Sequence, residues 1–144
     1  MDLQDTIEKY VMQLKNENRT LKTVAKVCRQ IMATLYDTYF PDAEARRPGP
    51  KSLCPDSDIL TISWLLELIG KDSECAGYKL ITSELSDLFP FLPERSRFNR
   101  RRRNLCHASE KLRQVLIHFL PDDERFIVDS FPIPLCDFKR VPSS

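Results

Sequence analysis

The stretch DSDILTISWLLELIG, Asp56 to Gly70, decides how the rest of the chain is read. Ile59, Leu60, Ile62, Trp64, Leu65, Leu66, Leu68 and Ile69 cover most of the surface of a helix. A helix apolar nearly all round belongs at the centre of a packed domain. Ser57 or Asp58 is expected to cap its start, and Gly70 to end it.

Working outward, a fourth helix is expected from about Ser73 to Leu88, broken by FPFLPE. A fifth is expected from about Ser96 to Leu120. Phe98, Leu105, Leu112 and Phe119 recur there every seven residues, with Val115 and Leu116 filling in. On the other side of Asp56 lies PDAEARRPGPKSLCPDSD, with four prolines and a glycine, which reads as a linker over residues 41–56. Before it, Leu3, Ile7, Tyr10, Val11 and Leu14 have helical spacing. Leu21, Val24, Val27, Cys28, Ile31 and Leu35 give a second amphipathic helix that ends at Tyr39, with Thr20 as its cap. The expected organisation is a helical hairpin over 1–40, the linker, a helical domain over 57–120, and a final segment over 122–144.

That final segment contains ERFIVDSFPIPLCDFKR, Glu124 to Arg140. Phe126, Ile127 and Val128 read as a strand that Asp129 ends, and Pro132 and Pro134 forbid a helix after it. A second strand over Leu135–Phe138 is compatible with the pattern. One or two strands do not make a sheet, so the β part reads as incomplete. Asp129 is either an Asx-type turn residue that reaches water or a ligand that meets a cation. Asp122, Asp123 and Asp137 lie nearby in sequence without the spacing of a second ligand.

Composition narrows the class. The chain has 144 residues, 42% hydrophobic and 30% charged, in the range of a globular domain. Only 3 glycines occur, which favours helices over a β-sandwich or a phosphate-binding loop. No apolar run approaches the roughly 18 residues of a membrane span. The acidic, amphipathic start MDLQDTIEKY lacks the basic region of a signal peptide. Five dispersed cysteines form no CxxC pair, which fits reduced thiols and a cytoplasmic location. His107 and His118 have no ligand partner at metal-binding spacing. No GxSxG, GxxxxGK[ST] or GxGxxG occurs.

The net charge of +1 hides an asymmetry. Arg95 to Arg113 holds eight Lys or Arg and one acid, Glu110, while the other 125 residues hold 14 basic and 20 acidic side chains. The densest part is RSRFNRRRRNL, where Arg95, Arg97, Arg100, Arg101, Arg102 and Arg103 fall within nine residues. Guanidinium forks match phosphate oxygens and guanine edges, and Asn99 or Asn104 could contact adenine. On the last of three compact helices, such a segment suits a helix-turn-helix reader of DNA. The competing reading is an arginine-rich face that pairs with the acidic helices. Four consecutive arginines point to every side of a helix, so some must face the body of the protein.

The order of three blocks resembles the DDE-type insertion-sequence transposases. SDILTISWLLELIG resembles the helix that opens their helical domain. LFPFLPERSRFNRRRRNL resembles the segment before their catalytic core. FIVDSFPIPLC, with Lys139 and Arg140 after it, resembles the entry to that core. The resemblance covers about residues 50–140. It implies a mainly α fold, a helical bundle with a helix-turn-helix-like part, followed by the first strands of an RNase H-like α/β core. It implies that Asp129 is the first catalytic, metal-binding acid, holding Mg2+ or Mn2+ with two later acids to cleave DNA and transfer strands. It implies that the arginine-rich helix binds the element's terminal inverted repeats. The second Asp and the final Glu have no place before Ser144. The chain by itself is therefore expected to be inactive and to hold no metal tightly. It would be a truncated copy, or the first of two reading frames acting with a second-frame product or with further copies of itself. The alternative from another class is a stand-alone small helical DNA-binding regulator. A helical protein-interaction module is a third. No membrane is expected as a partner.

Overall fold

The computed structural model describes residues 2–16, 20–70 and 73–119. They form α1 (Leu3–Asn16), α2 (Leu21–Tyr39), α3 (Asp56–Ile69), α4 (Glu74–Glu84), α5 (Arg95–Asn104) and α6 (Cys106–Phe119). The protein is mainly helical, and no strand occurs among the described residues. The strand expected at Phe126–Val128, Asp129 at its end and the proline turn after it lie outside the described residues, as do Asp122, Asp123 and Asp137.

α3 is central, as its sequence requires. Ile59, Leu60, Ile62, Leu65 and Leu66 are buried, and α2, α4 and α5 all pack against α3. Leu68 departs from the expectation at 71% exposed. Each fully buried Leu or Ile contributes about 2 kcal/mol relative to its exposed state. α1 packs on α2 and α6, and α5 on α6. One hydrophobic cluster runs from Ile7 of α1 to Leu112 of α6. The segment between α2 and α3 is built of turns, with Gly49 at φ 93°, yet the two helices that flank it pack directly on each other.

The helix ends correct several expectations. Thr20 caps α2 as foreseen, its Oγ1 accepting from the Thr23 backbone N–H at 3.2 Å. Gly70 ends α3 in the left-handed region at φ 66°, where a side chain would be strained. Neither Ser57 nor Asp58 caps α3, because the helix starts earlier, at Asp56, with Pro55 in the cap position. The Asp56 N–H instead donates to the Glu44 carboxylate. An acid from the preceding turns thus satisfies one of the donors that a helix start leaves open. α4 stops at Glu84, short of Leu88. The chain turns there to bury Leu85 and Phe89.

The single fifth helix expected over 96–120 is two helices, α5 and α6, broken at Leu105. Leu105 adopts φ −93° and ψ 7°, and its N–H is shared between the Arg101 and Arg102 carbonyls at 3.0 and 3.3 Å. Such three-centre bonds are common at helix termini. The break does not spoil the seven-residue pattern: Phe98, Leu105 and Leu112 are all buried and Phe119 is partly so.

Candidate nucleic-acid interface

α5 is set in rotation by Phe98, which is 1% exposed, and by Leu105 at its end. With about 100° per residue, that anchor places Arg101 and Arg102 toward the flanks of the buried side. Arg97, Arg100 and Arg103 fall on the outer surface, with Ser96 and Asn104 among them. Arg95, Arg97, Arg100 and Arg103 are exposed. Among the described residues, none of these four makes an ion pair with a carboxylate. Asn99 is half-buried and Asn104 exposed.

The other two arginines of the run reach acceptors of the body, Arg101 by close hydrogen bonds and Arg102 only by long contacts with exposed acids. Arg101, with a side chain 17% exposed, donates to Asp56 Oδ1 at 2.9 Å, to the Cys54 carbonyl at 2.8 Å and to Ser52 Oγ at 3.1 Å. Arg102 lies 3.8 Å from a Glu67 oxygen and 4.0 Å from one of Glu74. These long contacts border a cleft of about 420 Å³ between the end of α3 and the start of α4. The expectation that part of the cluster turns toward acids in the body thus holds for Arg101 and Arg102. Among the described residues, the remaining four guanidinium groups have no carboxylate partner.

Asp56 is the hub that sequence reading missed. It is 0% exposed. It accepts from Tyr36 Oη at 2.6 Å, from Arg47 Nη1 at 2.8 Å and from Arg101. Burial pushes its carboxyl upward, but hydrogen bonds from Arg47, Tyr36 and Arg101 outweigh burial and hold it below the usual carboxylate range. The same contacts push the Tyr36 hydroxyl and the Arg47 guanidinium upward: burial leads for Tyr36, the Asp56 hydrogen bond for Arg47. A second acid of the same turn, Asp58, takes a two-point contact from Arg29 at 2.9 and 3.1 Å, and that guanidinium also lies 5.5 Å from the centre of the Phe89 ring. The one sequence signal for this hub was two acids at the mouth of an apolar helix. Capping was the nearer explanation there.

The other candidates separate from this surface. Trp64 is a packing residue, as expected, and its Nε1 donates to Ser109 Oγ of α6 at 3.0 Å. His107 and His118 are exposed. Among the described residues, no group of three or more His, Cys, Asp or Glu side chains could hold a metal ion. Asp129, the expected metal ligand, lies outside those residues. Among the described residues, no helix is long and apolar enough to cross a membrane. No family model matches the chain, and no curated protein or solved structure matches it.

Proposed function

We propose that the described helices are the DNA-binding part of a DDE-type transposase, with α5 presenting Arg97, Arg100 and Arg103 to the terminal inverted repeats of its element. The observation that carries the reading is the outer face of α5. Its guanidinium groups are exposed and lack carboxylate partners among the described residues. A run of like charges on a short helix is self-repelling unless an anion neutralises it, and the DNA backbone supplies such anions at regular spacing. α3, α4 and α5 form a compact group in which α5 packs on the buried α3. This supports a helix-turn-helix-like arrangement with α5 as the reading helix.

The three-block resemblance supplies the transposase part of the proposal. In it, Asp129 is the first acid that would hold Mg2+ or Mn2+. The described residues offer no such donor set, so no chemical step is assigned to them.

The test is fluorescence anisotropy with a labelled duplex of about three helical turns, over a salt series. The triple variant Arg97→Ala/Arg100→Ala/Arg103→Ala should lower the log–log salt slope by about 2.7, or about 0.9 for each phosphate no longer neutralised. Binding unchanged in that variant would overturn the assignment of α5. Duplexes from the inverted repeats that flank the coding sequence should bind about 1,000-fold more tightly than random DNA. Tight binding only to the upstream control region would instead identify a regulator.

A further inference from the structure

The turn segment RRPGPKSL, Arg46 to Leu53, joins α2 to α3. By composition it is a linker. In the structure it is fastened to the arginine helix. Arg101 reaches out of α5 to donate to Ser52 Oγ at 3.1 Å and to the Cys54 carbonyl at 2.8 Å. At the other end of the segment, Arg47 is bonded to Asp56, the same carboxylate that Arg101 holds. The segment is therefore pinned at both ends to α5 and to the start of α3. Pro48 and Pro50 stiffen its middle.

Its charges divide cleanly. Arg47 and Arg101 are matched by Asp56 and the adjacent Glu44, which makes the fastening about neutral. Lys51 is exposed and has no described ion-pair partner. Arg46 is 81% exposed, and its contact with Asp42 is 3.7 Å long between two solvated side chains. An exposed pair of that kind is worth little and yields readily to a stronger anion. No acid falls between Arg46 and Asp56 in sequence.

We propose that the Arg46–Leu53 segment is a second DNA-contacting element, a pre-ordered basic arm. On this reading Arg46 and Lys51 neutralise backbone phosphates beside those that α5 engages. The inference rests on the DNA-binding reading of α5 and extends it to a segment that carries none of the sequence resemblance to a reading helix. Arg101 couples the arm to the reading helix by direct hydrogen bonds, so one docking event presents both. The two prolines and the two anchored ends leave little chain entropy to lose on binding, which separates this arm from a flexible tail. Duplex DNA is the occupant because a helix with an arm beside it matches a groove flanked by two phosphate rows. A single strand offers only one such row.

The experiment uses the full 144-residue chain, with a mixed-sequence DNA duplex of about 30 base pairs and a single-stranded RNA of equal length as probes. Arg46→Ala/Lys51→Ala is compared with the α5 triple variant and with wild type, and circular dichroism confirms that each variant keeps its helices. The arm variant should lower the salt slope on duplex DNA by about 1.8, so that between 50 and 200 mM salt it loses about 12-fold less affinity than wild type. Lys51→Glu should weaken binding beyond Lys51→Ala. A normal slope in the arm variant, with a reduced slope in the α5 variant, overturns the arm and leaves the α5 reading intact. No binding of duplex DNA by wild type overturns both. Tighter binding to the RNA strand than to the duplex overturns the choice of occupant.

Discussion

Replacing Asp56 with alanine removes the one carboxylate that Tyr36, Arg47 and Arg101 share. The three donors respond differently. Arg47 is 48% exposed and can turn back to water, so its loss is small. Tyr36 is 4% exposed, and an unmet buried hydroxyl costs about 1–3 kcal/mol. Arg101 is 17% exposed and keeps its bonds to Ser52 and Cys54, so its charge is left only partly unpaired. Breaking one side of a buried pair costs about 3–5 kcal/mol, and those retained bonds place Asp56→Ala at the lower end, about 3 kcal/mol. Against a total of about 5–15 kcal/mol, that is a large fraction of the stability. Urea unfolding followed by circular dichroism is the assay. With an m-value of about 2 kcal/mol/M, the midpoint should fall by about 1.5 M. A shift under about 0.25 M, the size expected for a surface change, would refute the view that Asp56 organises the junction of α2, α3 and α5. The pH dependence has a definite sign. The folded carboxyl lies below its ordinary value of 3.8, so its contribution is complete above about pH 4 and fades as pH falls through the lower folded value. Wild type should lose stability in that acid range more steeply than Asp56→Ala.

Local geometry sets two other outcomes. Gly70→Ala should destabilise the protein by about 1 kcal/mol in the same unfolding assay. A Cβ there meets no atom within 4 Å, so the whole cost is that of placing an L-residue at φ 66°. Cys106 is exposed, whereas Cys54 is 2% exposed and burial pushes its thiol up to about 11. Iodoacetamide at neutral pH, read by peptide mass, should label Cys106 well before Cys54, and Cys54 only on unfolding; early labelling of Cys54 would contradict its packing.

Much of the helical part was legible from periodicity. α2 spans Leu21–Tyr39 as read from its apolar face and its threonine cap, and α3 is buried as its all-round apolar surface required. The misses fall where local rules compete. Three acidic or hydroxyl residues in a row at the mouth of α3 offered several caps. The one that entered the helix first, Asp56, was taken by distant arginines. The break at Leu105 left no trace in the apolar pattern, because a single turn residue preserves the seven-residue recurrence of Phe98, Leu105 and Leu112.

The sequence by itself determined most of the helical segments, though not the break between α5 and α6, together with the centrality of α3 and the clustering of six arginines, because each depends on residues within a few turns of one another. Which arginines meet partners within the described residues was decided only by the tertiary structure. Helical phase turns Arg101 toward the body, but its charge is met by Asp56 and the Cys54 carbonyl, 45 and 47 residues away in sequence. No local pattern encodes that meeting, since it exists only once α2, α3 and α5 have packed. The same packing fastens a proline-rich linker to the arginine helix, because a partly buried guanidinium must find acceptors wherever the fold brings them within reach.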